Sequence, residues 1–282
     1  MPDFLPALIG CFAQPVAENP TVVMMEAAFR HHGIHARYIN MEVSPADLAA
    51  AVAGAKAQGY IGFNCSLPHK VAIISHLDAL GDSARITGAV NCAIRQPDGL
   101  WRGENTDGKG FLQSLRTTTN PAGQHAVIFG AGGAARAIAT ELALAGTSRI
   151  TLVNRSPAPA AALAQLLSTN TDTTVSTAAL TDPFPLPPDA SLIVNATSVG
   201  LFPDSSAALA VTGFRPHMTV ADVIPNPPQT AFLKAAQSAG CHTLDGLGML
   251  VNQGALNISY WFGIDPDRAI MRAALSSVFP AA

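Results

Sequence analysis

The stretch Gly130-Ala131-Gly132-Gly133-Ala134-Ala135 has residue types and spacing that point directly to chemistry. It fits G-x-G-x-x-G/A, follows the apolar run Ala126-Val127-Ile128-Phe129, and opens a helical pattern with Ala135, Ile138, Ala139 and Leu142 on one face. In that context Gly130 permits the tight turn and Gly132 lets backbone approach a pyrophosphate. Ala135 is small enough for helix and strand to pack. The helix start at Gly133 and Ala134 offers unpaired N–H groups and the positive end of a dipole to phosphate oxygens. By itself the motif also admits FAD, another nucleotide, or a glycine-rich turn that holds nothing. The next strand, Ile150-Thr151-Leu152-Val153, runs into Asn154-Arg155-Ser156. An NAD enzyme usually places an acid there for the ribose hydroxyls. Here Asn154 and Arg155 stand in its place, and the planar guanidinium of Arg155 suits the 2′-phosphate of NADP, with NAD as the weaker alternative. An arginine that merely faces solvent is the competing reading.

Three polar clusters lie upstream: Asn64-Cys65-Ser66-Leu67-Pro68-His69-Lys70, Gly88-Ala89-Val90-Asn91-Cys92, and Gly103-Glu104-Asn105-Thr106-Asp107-Gly108-Lys109-Gly110-Phe111. Each sits at or after the end of an apolar run, and open α/β sheets bind ligands outside the carboxyl ends of their strands. The elements that must position them follow from periodicity. Ala7–Gly10, Ala36–Ile39 and Tyr60–Asn64 read as strands, and Val22–His32 and Pro45–Gln58 as helices. Strands alternating with helices indicate an α/β domain with a mainly parallel sheet. A second α/β run starts near residue 124 and continues through strands at Leu192–Val194 and Thr219–Ala221. Ser156–Pro188 reads as a solvated helix and loops, and Met249–Leu275 returns to a helical pattern. The expected organisation is two domains. One is an N-terminal α/β substrate domain, residues 1–105 joined by returning C-terminal helices, 246–282. The other is a Rossmann-type dinucleotide domain, 106–245.

The ordered clusters resemble the signatures of the shikimate dehydrogenase family: N-[VI]-T-x-P-x-K at residues 64–70, G-A-x-N-T at 88–92 and G-x-N-T-D-x-x-G at 103–110. Downstream, Asn195-Ala196-Thr197-Ser198-Val199-Gly200 resembles the family's N-x-T-x-x-G turn near the cofactor. Gly246-Leu247-Gly248-Met249-Leu250-Val251-Asn252-Gln253 resembles its G-x-x-M-L-x-x-Q segment. The matches run in register from about residue 60 onward. The resemblance implies an NADP-dependent enzyme that interconverts shikimate and 3-dehydroshikimate. Lys70 and Asp107 fall on the family's catalytic positions. Lys70 is expected to exchange the hydroxyl proton, and Asp107 to orient it and hold the reacting hydroxyl. That role requires a partly desolvated lysine, and the two groups would titrate as a unit. Without the resemblance, a structural Lys–Asp ion pair explains the same residues. The resemblance further assigns Asn64, Ser66, Asn91 and Gln253 to substrate hydroxyls, and Thr197 and Met249 to the cofactor. His69 receives no role and is expected to be exposed.

The chain departs from the family chiefly where the substrate carboxylate is held. Asn19 and Thr21 replace the two serines of S-x-S, and Met25-Glu26 the His-Asn pair; Pro225 replaces a tyrosine. At the cofactor, Pro159 stands where many members carry a second basic residue, which weakens the expected preference for NADP. Quinate and aminoshikimate are therefore alternative substrates. A non-catalytic NADP-binding regulatory protein is the rival from another class, and retention of Lys70, Asn91 and Asp107 argues against it.

Composition narrows the partners. With 49% hydrophobic and 12% charged residues the chain has material for full cores, and a net charge of −3 gives no electrostatic support to nucleic acid or anionic membrane binding. Cys11, Cys65, Cys92 and Cys241 show no metal-ligand spacing, so no metal is expected, and they read as reduced thiols. The start of the chain lacks a leader pattern and no apolar stretch is long enough to span a bilayer. The expectation is a cytoplasmic monomer or homodimer acting on a small molecule.

Overall fold

Apolar runs alternating with alanine-rich helical segments build two six-stranded sheets, each the centre of its own unit, in the computed structural model, which describes residues 4–279. One unit comprises the chain up to Thr106 together with Gln253–Val278; the other comprises Asp107–Asn252. Met1-Pro2-Asp3, part of the leader reading, and residues 280–282 lie outside the described residues.

The first unit contains β1 (Ala7–Ala13), α1 (Thr21–His31), β2 (Ala36–Glu42), α2 (Leu48–Ala57), β3 (Gly62–Cys65), β4 (Ala79–Leu80), α3 (Asp82–Thr87), β5 (Cys92–Arg95) and β6 (Trp101–Glu104). Its sheet order is β2-β1-β3-β5-β6-β4. Helix α1 buries Met24, Met25, Ala28 and Phe29, a stripe at helical spacing. The chain turns away at Gly33, whose φ of 63° is the left-handed region that favours glycine. Strand β1 pairs in parallel with β2 and β3, whereas β5 runs antiparallel to both β3 and β6. This corrects the sequence reading of the second polar cluster, which precedes a strand instead of following one. Because β5 is reversed, its start lies at the edge where β1, β3 and β6 end, so Asn91 reaches the same edge from the opposite direction.

The second unit contains α4 (Asp107–Leu115), β7 (His125–Phe129), α5 (Gly133–Leu144), β8 (Arg149–Asn154), α6 (Pro157–Asn170), β9 (Thr174–Ala179), β10 (Phe184–Pro185), β11 (Leu192–Asn195), β12 (Val211–Thr212), β13 (Thr219–Asp222), α7 (Ala231–Ser238) and β14 (His242–Leu244). Its six-stranded sheet has the order β14-β13-β11-β7-β8-β9 with every pair parallel. Counted from β7 this is 3-2-1-4-5-6, with the switch point between β7 and β11. Alternate residues feed two cores. Ala126, Ile128, Ile150, Leu152, Leu192 and Val194 face one side, and Val127, Phe129, Val153, Ile193 and Val220 the other. Burial on both faces is why these strands are continuous apolar runs. Each large side chain so buried contributes roughly 1.5–3 kcal/mol.

One stretch departs from the expected elements. Within Ser156–Pro188, expected as a solvated helix and loops, lies the six-residue strand β9. It is the outermost strand of its sheet, and its Thr/Ser-rich sequence is largely exposed, so it carries no apolar run to betray it. The C-terminal pattern resolves into α8 (Gly246–Phe262) and α9 (Arg268–Ser276). Helix α8 starts in the second unit and its residues from Gln253 onward belong to the first. No helix among the described residues is long and apolar enough to cross a membrane.

Candidate active site

In the first unit the ends of β1 and β3, the start of β5 and the C-terminal half of α8 supply a buried network of amides, hydroxyls and thiols. Asn64 Nδ2 donates to the Asn91 carbonyl at 2.8 Å, and its Oδ1 accepts from the Tyr38 hydroxyl at 2.7 Å. Asn91 Oδ1 accepts from Thr106 N at 2.7 Å, and the Thr106 hydroxyl donates to Asn257 Oδ1 at 2.8 Å. Gln253 Oε1 lies 3.4 Å from the amide nitrogens of Asn91 and Asn257. Asn64, Asn91, Thr106, Gln253 and Asn257 are all buried. Leaving such groups unpaired would cost kilocalories each, so the network fixes their orientations. Tertiary structure thus brings together Asn64, Asn91 and Gln253, which the sequence analysis singled out separately.

Lys70 follows the turn after β3, where its carbonyl accepts from Val90 N at 2.7 Å. Its ammonium is close enough to Cys11 and Cys65 to favour their thiolates, but burial outweighs it. The Cys11 thiol is pushed up to about 11 and Cys65 well above its usual value. Burial likewise holds the Tyr38 phenol well above its ordinary range, with the nearby thiols adding to the shift. At neutral pH all three stay protonated and offer hydrogen bonds without charge. Ser66 forms the turn, its N donating to the Phe12 carbonyl and its carbonyl accepting from His69 N. His69 is a correction: it is 1% exposed, with Nε2 2.8 Å from the Val43 carbonyl, so it anchors the loop instead of facing solvent.

Asn19 lies between β1 and α1, and Thr21 opens α1. Asn19 Nδ2 donates to Asn40 Oδ1 at 3.1 Å, and Asn40 Nδ2 donates back to the Asn19 carbonyl at 3.0 Å. Asn19 Oδ1 accepts from Thr21 N at 3.2 Å. The Asn19 side chain also lies near the Cys11 thiol and offsets a little of the rise in its pKa. Cys11, Tyr38, Asn40, Thr106 and Asn257 received no role from the sequence. Two of them left a signal: Thr106 stands within the 103–111 cluster, and Asn257 stands four residues after Gln253 and hence on the same helical face.

Asp107 opens α4 directly after the anchored Thr106, and a carboxylate in the first turn of a helix is stabilised by the helix dipole. In the second unit a cavity of about 590 Å³ lies outside the carboxyl ends of β7, β8 and β11. Gly130, Gly132, Asn154, Arg155 and Thr197 line it together. Gly130 has φ 107°, and a Cβ there would stand 2.9 Å from the Ala196 carbonyl, so the position demands glycine. At Gly132 a Cβ would meet nothing within 4 Å, so the backbone there borders open space in the cavity. No side chain caps α5 at Gly132, leaving the first N–H groups of that helix for an anion. Arg155 is exposed, and Asn154 Nδ2 donates to the Ser156 carbonyl at 2.9 Å. This glycine cradle with an arginine at its far end fits a phosphorylated dinucleotide. Gly133 and Ala134 begin α5 just beyond the lining, and Met249 on α8 packs against the core that contains Ile128 and Ala135. No cluster of metal-binding side chains occurs among the described residues.

Comparison with known proteins finds two family models. The shikimate dehydrogenase substrate binding domain matches residues 11–93, and the shikimate 5′-dehydrogenase C-terminal domain matches residues 246–275. A shikimate dehydrogenase (NADP(+)) of Shouchella clausii is 39% identical over 268 residues, covering 93% of this chain and 95% of its own. Among solved structures, the ligand-free 5-ketofructose reductase of Gluconobacter sp. strain CHM43 is 52% identical with a TM-score of 0.95, covering 98% of this chain and 100% of that one. Shikimate 5-dehydrogenase from Listeria monocytogenes, in complex with shikimate and NAD, is 31% identical with a TM-score of 0.90 and covers 96% of each chain.

Proposed function

The chain belongs to the shikimate dehydrogenase family, and from that premise we propose that it is an NADP-dependent oxidoreductase interconverting shikimate and 3-dehydroshikimate. The observation that carries the reaction type is the glycine cradle of Gly130 and Gly132 with Arg155 in the same cavity. NADP, when bound there, supplies the hydride acceptor for oxidation and the hydride donor for reduction. Lys70 takes the proton of the reacting hydroxyl in oxidation and returns it in reduction, with Asp107 as its partner. Asn64, Asn91 and Gln253 fix the remaining hydroxyls, because the network already sets the direction of each amide. Asn19 and Thr21 hold the far end of the substrate. Arg155 selects the 2′-phosphate, and the Pro159 position leaves NAD as a weaker alternative. As part of the same proposal the protein works in the cytoplasm as a monomer or homodimer.

A second reading is favoured by the 52% identity to a 5-ketofructose reductase. Its support within this chain is chemical. The positions that in the family hold a carboxylate carry Asn19, Thr21 and Pro225 here, and Asn19 Oδ1 and one N–H of its Nδ2 are already committed to Thr21 N and Asn40 Oδ1. Such a subsite suits the hydroxyl groups of an uncharged ketose as readily as an anion. Initial rates of nicotinamide absorbance change separate the readings, with shikimate and quinate oxidised and 5-ketofructose reduced, each against NADP and NAD forms. Efficient shikimate turnover with NADP supports the first. Reduction of 5-ketofructose without shikimate oxidation supports the second. No turnover of any of them with either cofactor overturns both.

A further inference from the structure

Asp222 ends β13, is 2% exposed, and stands in register with Asn195 at the end of β11. Its oxygens accept from neutral donors: the Thr230 hydroxyl at 2.7 Å, Asn195 Nδ2 at 3.1 and 3.2 Å, and Ile224 N at 3.1 Å. Burial raises its pKa, and these hydrogen bonds oppose the rise. A carboxylate kept in such a place is costly to fold, and an apolar pair at the same register would pack at less cost. What the carboxylate does supply is direction. An ionised carboxylate only accepts, so it forces the Asn195 amide to turn Nδ2 towards β13 and Oδ1 the other way. There Oδ1 accepts from Thr197 N at 3.1 Å and from the Thr197 hydroxyl at 2.7 Å. The Thr197 hydroxyl oxygen in turn accepts from Val199 N at 3.1 Å, and Asn195 Nδ2 also reaches the Val199 carbonyl at 3.3 Å. Thr197, Ser198, Val199 and Gly200 line the cavity that holds the glycine cradle.

We propose that Asp222 is a positioning residue for the dinucleotide pocket, fixing the Asn195 amide so that the Thr197–Gly200 wall stays in shape for the cofactor. The inference rests on the reading of that cavity as the NADP site. If the residue at 222 can both donate and accept, the Asn195 amide is free to flip. Its Nδ2 would then face the Thr197 N–H, donor against donor, and the wall loosens.

The test is Asp222→Asn, an isosteric change that leaves every packing contact, measured beside Thr197→Val and the double variant. The readouts are the Kd for NADP by titration, KM and kcat, and thermal stability. Asp222→Asn is expected to raise Kd and KM for NADP roughly tenfold, equivalent to about 1.4 kcal/mol, with kcat within about threefold and no large loss of Tm. Because both residues act through one turn, the double variant is expected to lose less affinity than the sum of the two single losses. Unchanged Kd in Asp222→Asn, additive losses in the double variant, or an Asp222→Asn chain that does not fold would each overturn the proposal and place the carboxylate in the framework. A parent protein that binds neither NADP nor NAD overturns instead the reading of the cavity.

Discussion

The two regions to which the proposal assigns chemistry are built in opposite ways. The glycine cradle of the dinucleotide cavity is made largely of backbone and lies within one strand–turn–helix: Gly130 turns, Gly132 leaves open space, and the uncapped start of α5 presents its N–H groups. The network around Lys70 is made of side chains drawn from residues 11, 19, 38, 64, 91, 253 and 257. Phosphate binding needs only a helix end and space, so it tolerates many sequences. Holding several hydroxyls at fixed places needs amides whose two ends cannot exchange, and each amide must be locked by another. The first solution is local and general, and the second is distributed and specific.

The largest expected effect breaks the comparison at the distributed region. Lys70→Ala is expected to lower kcat by roughly a hundredfold or more, the scale of a lost general acid–base group, while the Kd for NADP measured by titration stays as in the parent. Loss of cofactor affinity instead would mean that Lys70 serves the dinucleotide, and unchanged kcat would return it to a structural pair. A smaller effect is expected at the other region. Arg155→Ala should weaken NADP binding about tenfold and leave NAD within about twofold, since one exposed charge-assisted contact is worth roughly 1.4 kcal/mol. Equal weakening of both cofactors would show that the arginine does not read the 2′-phosphate.

The smallest effect sharpens the contrast in charge. With its thiol pushed up to about 11, Cys11 is almost wholly protonated at neutral pH. Its alkylation by iodoacetamide, followed by peptide mass mapping, is expected to rise about tenfold per pH unit between about pH 8 and 10, because only the thiolate reacts. The Lys70 charge lowers that pKa. Removing it in Lys70→Ala therefore raises the pKa and slows alkylation at each pH. A rate that levels off near an ordinary thiol pKa would mean that the region around Lys70 is wet.

Much of the second unit was legible beforehand, because a strand buried on both faces must be an apolar run and a glycine motif advertises its turn. Strand β9 was not, since an edge strand with a solvated face has no reason to be apolar. In the first unit the clusters at Asn64 and Asn91 stood out by composition, but the reversed direction of β5 did not, because a segment of four residues reads the same in either orientation. His69 was misplaced for a related reason. A histidine in a polar loop carries no mark of burial, and only the Val43 carbonyl opposite it satisfies the ring.

The sequence by itself determined where a dinucleotide could be cradled, that an arginine and not an acid follows β8, and that a lysine and an aspartate occur in motifs of one family. These are properties of neighbouring residues, set by backbone freedom and by the chemistry of single side chains. Only the tertiary structure decided that Cys11, Tyr38 and Asn40 lie beside Asn19 and Asn64, that Asn257 closes the amide network, and that Asp222 meets the Asn195 amide. Those depend on which strands lie side by side and in what register, and hydrogen-bond direction exists only once both partners are in place.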